Sequence, residues 1–219
     1  MPVKFADDAA RVALRRAIEA VERASAVEVV VAIRRQSSSW LHVNALVGAA
    51  TTFAALAFML LGSHPFSIPA ILFDPWLVGI VAGALVELLP SVKRALTPPR
   101  WRRRAVEAQA ATTFLARNVH LTTGRTGILI YASWLERRAA VVADVGVLAA
   151  VAPAELDALS ERLTAAMRRD GVALAQTIEA FGAAAAAGLP RAADDVNELP
   201  DDLDAHLGRR RRPTLEPRS

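Results

Sequence analysis

Apolar and polar positions divide the chain into two regimes. From about Trp40 to Leu61, and again from about Ile68 to Leu89, the sequence is almost continuously apolar, and Gly62-Ser63-His64-Pro65 breaks the run between them. Each stretch is close to the ~20 residues that a helix needs to cross a hydrocarbon core ~30 Å thick. On either side the periodicity is that of an α/β protein. Leu14, Ile18 and Val21 recur at helical spacing behind an N-cap at Asp7 or Asp8, which predicts a helix over 8–24. Ala26 to Ile33 is short, β-branched and nearly all apolar, as in a strand covered on both faces, with Glu28 as its only charge. Beyond Pro98-Pro99, the stripe Val106, Ala110, Thr113 and Phe114 predicts a helix over 100–117, followed by a turn-rich connector over 118–125. Gly127 to Ser133 and Arg138 to Ala143 read as two strands joined by a turn at Trp134-Leu135-Glu136-Arg137, and a short fourth strand is expected near Val147 to Val151. Pro153 suits the first turn of a helix carrying Leu156, Leu159, Leu163 and Met167. Asp170-Gly171 separates that helix from a last one carrying Leu174, Ile178, Phe181 and Ala185, which Gly188-Leu189-Pro190 ends.

This order predicts a small three-layer α/β/α Rossmann-like sandwich with a mixed sheet, interrupted by a transmembrane α-hairpin. The expected organisation is a first part of the soluble domain over 1–39, the hairpin over 40–96, a second part over 97–190 and a polar, disordered tail over 191–219. The helix from Arg100 can serve as a right-handed crossover between parallel strands. Arg34 and Arg35 precede the first span, and Lys93, Arg94, Arg100, Arg102, Arg103 and Arg104 follow the second. The loop from Gly62 to Pro69 has no Lys or Arg. The positive-inside rule then places both flanks, and both termini, in the cytoplasm of a bacterial inner membrane.

Gly79 and Gly83 form a G-x-x-x-G pair, and Ala45, Gly48, Ala49 and Thr52 offer small residues on the first span. Such faces let helix backbones approach closely in lipid, so the spans are expected to pack on each other, with a homodimer through Gly79 and Gly83 as a second expectation. Asp74 and Glu87 lie within about two turns of the ends of the second span, where snorkelling to headgroups or water is expected.

Composition narrows the chemistry. The chain of 219 residues has no cysteine, which excludes disulfides and Cys-based metal or redox sites. Met1 to Phe5 leads into an acidic amphipathic stretch instead of an apolar one, so no signal peptide is expected. The net charge of +4 is carried mostly by arginine. The clusters at Arg100 to Arg104 and Arg209 to Arg212 lack aromatic interleaving and any recognition motif, so no nucleic-acid partner is expected. Membrane topology and attraction to anionic lipid suffice to explain the first cluster, with Trp101 beside it in an interfacial belt.

The stretches Ala26-Val27-Glu28-Val29-Val30-Val31, Phe114 with Thr122-Thr123-Gly124-Arg125-Thr126-Gly127-Ile128-Leu129-Ile130-Tyr131, Glu136-Arg137-Arg138 and Ala143-Asp144-Val145-Gly146, taken in order, resemble the TPM domain family. Asn197-Glu198-Leu199-Pro200-Asp201 is similar to the ending of a bacterial subset. The resemblance implies a Rossmann-like α/β/α fold. Some members are described as acid phosphatases, some bind calcium, and others are accessory factors at membrane complexes. Where familiar members carry an acidic, Gly-rich stretch after the third strand, this chain has Asp144-Val145-Gly146-Val147-Leu148-Ala149-Ala150-Val151.

Hard-cation binding needs several converging oxygens. Glu28, Glu136 and Asp144 are the metal candidates, for a divalent cation such as calcium, and Glu28, Asp144 and Arg125 are the catalytic ones. The competing reading pairs Glu28 and Asp144 with nearby arginines such as Arg125 or Arg137. No other cofactor is expected. Residues 122–127 lack the lysine and spacing of a P-loop. His42, His64, His120 and His206 show no zinc-ligand spacing. The expectation is therefore a membrane-anchored interaction or accessory module with a membrane-protein partner, and the alternative is a membrane-tethered acid-phosphatase-like hydrolase.

Overall fold

The computed structural model describes residues 7–191 and the backbone of Leu203–His206. These residues divide into two compact units. One runs to Ser37 and resumes at Arg103; the other is Ser38–Arg102.

The first unit is an α/β domain. Helix α1 (Asp8–Ala24) starts where Asp7 accepts the Ala10 N–H at 2.8 Å. Strand β1 (Glu28–Arg34) pairs in parallel with β2 (Gly127–Ser133), and β2 pairs in antiparallel with β3 (Arg138–Ala143). A fourth strand, β4 (Leu203–His206), pairs in parallel with the far side of β1, giving the order β3-β2-β1-β4. Alternate residues of β1 serve opposite faces, as the period of two requires. Val29, Val31 and Ile33 join a core with Leu14, Ile18 and Val21 of α1, Leu159 and Leu163 of α7 (Pro153–Ala166), and Leu174, Ile178 and Phe181 of α8 (Gly171–Gly188). Val30 and Ala32 face Val106, Ala110 and Phe114 of α5 (Pro99–Ala116). Helices thus cover both faces of a mixed sheet.

Three local features depart from the expected pattern. The stretch read as a strand near Val147 to Val151 is a short helix, α6 (Val145–Ala150), because Asp144 caps it through the Val145 N–H. The tail expected to be disordered contributes β4; apart from Arg191 the rest of it, including Asn197 to Asp201 and Arg209 to Arg212, lies outside the described residues. Between the second span and α5 there is an additional helix, α4 (Pro90–Leu96).

α1 and α8 meet closely at Gly182, where an added Cβ would stand 3.5 Å from Val21, an ordinary van der Waals distance. Gly182→Ala should therefore stabilise the domain by about 0.5–1 kcal/mol, since alanine gains helix propensity without a clash. Thermal unfolding should show a small rise in Tm; a fall would mean that α1 and α8 sit closer than described.

The second unit is the hairpin of α2 (Leu41–Leu61) and α3 (Ile68–Leu85), α3 running on into a 3-10 turn at Val86–Leu88. Its contact is built on small residues. A Cβ on Gly79 would lie 2.7 Å from the Gly48 carbonyl oxygen, and one on Gly83 2.8 Å from that of Asn44. The G-x-x-x-G pair of Gly79 and Gly83 thus packs on α2 within the hairpin, as expected for the two helices. Away from that seam Phe53, Phe58, Leu72, Phe73, Trp76 and Ile80 are all exposed.

Candidate functional site

The register of the sheet fixes where the candidate side chains lie. At the amino end of the parallel strands, Glu28 is opposite Gly127, and the Asp144 N–H donates to the Gly127 carbonyl at 2.9 Å. Glu28 and Asp144 therefore stand at one level on the two strands flanking β2. Arg125 reaches the same edge, its Nε 2.9 Å from Asp144 Oδ2. Asp144 is nearly buried, and its other oxygen accepts the Val145 N–H at 2.8 Å. The pairing of Asp144 with Arg125 is thus present, as the competing reading required. Glu28 is 7% exposed.

Residues 122–127 form a clamped turn. The Arg125 N–H donates to the Thr122 carbonyl at 3.0 Å, the Thr126 N–H to the Thr122 hydroxyl at 2.9 Å, and the Gly146 N–H to the Arg125 carbonyl at 3.0 Å. Arg125 holds φ at 55°, in the left-handed region. The Arg125 and Thr126 amides are thus used within the turn itself.

Glu136 is at the other end of the sheet. From Gly127 to Ser133 a strand rises about 20 Å at ~3.3 Å per residue, whereas oxygen ligands sit ~2.3–2.6 Å from a calcium ion. Glu136 therefore does not share a site with Glu28 and Asp144. Among the described residues no three His, Asp or Glu side chains gather closely enough to hold a metal.

What surrounds Glu136 is a buried polar network not read from the sequence. Its carboxylate accepts the Ser37 N–H at 3.0 Å and also the Ser133 hydroxyl. The Ser37 hydroxyl lies 3.3 Å from the Tyr131 hydroxyl. Glu136, Ser133 and Tyr131 have no solvent exposure. The Trp134 and Leu135 N–H groups, both at 2.9 Å, bind the carbonyls of Arg34 and Arg35. Partial burial holds the Arg34 guanidinium below its ordinary pKa, and the nearby Tyr131 phenol works in the opposite direction. In open α/β sheets ligands sit outside the carboxyl ends of the strands. Here that end of β1 and β2 is filled by a network that ties the exit of β1 to the β2–β3 turn. Glu22 is a carboxylate the sequence did not flag: it accepts the Val29 N–H at 3.1 Å, on the stretch of β1 that β4 does not reach.

In the hairpin unit, the Lys93 ammonium is buried and pairs with Glu87 at 2.6 Å, and the Asn44 amide donates to the same Glu87 oxygen at 3.1 Å. The His42 ring lies between Trp40 and Trp101, with centroids 6.4 and 6.2 Å away.

No protein-family model matches the sequence, and no curated protein does. Among solved structures the chain is similar to the NMR structure of BA42 protein from the psychrophilic bacterium Bizionia argentinensis. The likeness covers 90% of this chain and 92% of that one, with a TM-score of 0.54 and 16% identity. At that identity the likeness shows a shared α/β fold and nothing of activity.

Proposed function

We propose that this chain is an integral inner-membrane protein holding a TPM-like, Rossmann-like domain on the cytoplasmic side as an interaction or accessory module. The observation that carries the membrane reading is the exposure of its most apolar helices. Two 21-residue helical segments, Leu41–Leu61 and Ile68–Leu88, are long and apolar enough to span a bilayer, yet only 11% and 17% of their apolar windows are buried. A core helix of a soluble protein would hide most of that surface. The Trp40–His42–Trp101 aromatic group suits a membrane–water boundary, and it joins the entry of the hairpin to the segment that leaves it, in keeping with both flanks on one side. BA42 is itself a TPM-domain protein, so the likeness of fold agrees with the residue-level resemblance.

The interaction reading rests on how the carboxylates are used. Asp144 caps α6 and pairs with Arg125, and Glu136 is sealed in a hydrogen-bond network. The hydrolase alternative draws on Asp144 and Arg125 standing together at a strand edge beside Glu28.

Expressed in bacteria, the chain should stay in the membrane pellet after alkaline carbonate and dissolve only with detergent. Reporters at the two termini should both be cytoplasmic. Recovery in the high-speed supernatant, or termini on opposite faces, would end the membrane reading. Hydrolysis of a generic phosphomonoester by purified protein, lost in Asp144→Asn, would decide for the hydrolase.

A further inference from the structure

Asp74 is the sole Asp, Glu, Lys or Arg in either α2 or α3. It is exposed on α3 between Phe73 and Trp76, which are also exposed, and no hydrogen bond or ion pair to another described residue engages it. Its depth follows from helix geometry. At ~1.5 Å per residue, Asp74 is about 9 Å from the start of α3 at Ile68 and about 20 Å from Glu87. Glu87 is neutralised by Lys93 at the opposite end. The helices remain apolar beyond Asp74: Ile68, Leu72 and Phe73 on α3, and Phe58, Leu60 and Leu61 on α2, are exposed there. An aspartate has too short a side chain to snorkel that distance, and a carboxylate that faces lipid is costly.

Resting on the membrane reading above, we propose that the Asp74 face of α3 docks a transmembrane helix of a partner protein that carries a lysine or arginine at the same depth. Charge selects this occupant. A second copy of the chain has no cation anywhere in its spans and could offer only another Asp74. A basic side chain in the outer part of the bilayer would pair with the carboxylate and spare both groups the cost of facing lipid. The exposed Phe73, Trp76 and Leu77 then supply apolar contact around the pair.

The test uses the full chain in phosphatidylcholine vesicles. The absence of native cysteine allows a single donor dye at Ser63→Cys. Acceptor-labelled poly-leucine transmembrane peptides serve as probes, with one lysine about 9 Å from the outer end, one lysine at the matching depth from the inner end, or none. Energy transfer should report at least tenfold tighter association with the outer-lysine peptide than with either control. Asp74→Asn should abolish that preference, and Asp74→Glu should retain it. Equal association with all three peptides overturns the proposal, as does an unchanged preference in Asp74→Asn. Transfer between two copies of the chain that Asp74→Asn abolishes assigns the face to self-association and also overturns it. Protein that does not float with the vesicles overturns the membrane reading along with it, whereas inserted protein without a lysine preference overturns this inference alone.

Discussion

Gly79→Leu is expected to separate the two hairpin helices. At this position even a Cβ would stand 2.7 Å from the Gly48 carbonyl oxygen and collide with the Thr52 hydroxyl. Side chains in an overfilled core rotate away, and the cost is typically about 1–3 kcal/mol. The obstacle at Gly79 is the backbone of α2, so relief requires moving a helix and losing the close contacts along the seam. In lipid no hydrophobic effect drives the helices back together; packing and hydrogen bonds hold them. We expect a loss of about 3 kcal/mol in helix–helix association, at or above the top of that range. Spin labels on Leu46 and Leu85, both exposed, should report a longer and broader interhelix distance. Ala84→Leu, beside Gly83 but exposed, should leave the distance unchanged. A Gly79→Leu hairpin as compact as the parent would show that the seam lies elsewhere.

The second large effect belongs to the soluble domain. Glu136→Ala removes the acceptor for both the Ser37 N–H and the Ser133 hydroxyl, in a place with no solvent exposure. Each buried donor left without a partner costs about 1–3 kcal/mol, so about 4 kcal/mol is expected for the two. That is a large share of the ~5–15 kcal/mol by which domains are stable. For a domain of this size the midpoint of thermal unfolding should fall by roughly 10 °C. Glu136→Gln keeps one acceptor oxygen and should lose less than half as much. A change below about 2 °C for Glu136→Ala would mean that water reaches the network and that the β1 exit is not held as described.

The elements legible in the sequence are those whose signal is local. Asp7 before a helical stripe, the β-branched run after it and the two long apolar runs each report their own conformation. Residues 147–151 misled because a short apolar run bounded by turn residues reads as a strand as readily as a helix, while the deciding feature is the carboxylate of Asp144 placed to cap a helix, a signal available from an Asp directly before an apolar run. β4 was not legible because Leu-Asp-Ala-His has little strand propensity, and it is an edge strand made by pairing with β1, which lies far away in sequence. α4 was hidden by the prolines at both of its ends. For the site, Glu28, Asp144 and Arg125 could be placed at one edge by counting strand positions. Glu136 was grouped with them only because sequence does not show which end of a sheet a turn occupies. The hydrogen bonds of Glu136 to Ser37 and of Glu22 to Val29 depend on register and burial, which no short pattern encodes.

The hairpin separates two strands that must pair along their whole length, Glu28–Arg34 with Gly127–Ser133. On the membrane reading proposed above, β1 is followed at once by the first span as the nascent chain leaves the ribosome, and the hairpin reaches the translocon before β2 has been made. On that reading the sheet is completed only after the chain is anchored. Such long-range parallel pairing is slow, and an unpaired apolar strand invites aggregation. Under the proposed membrane reading, insertion would tether that strand early, so that delivery to the membrane and completion of the α/β domain become successive stages of one assembly.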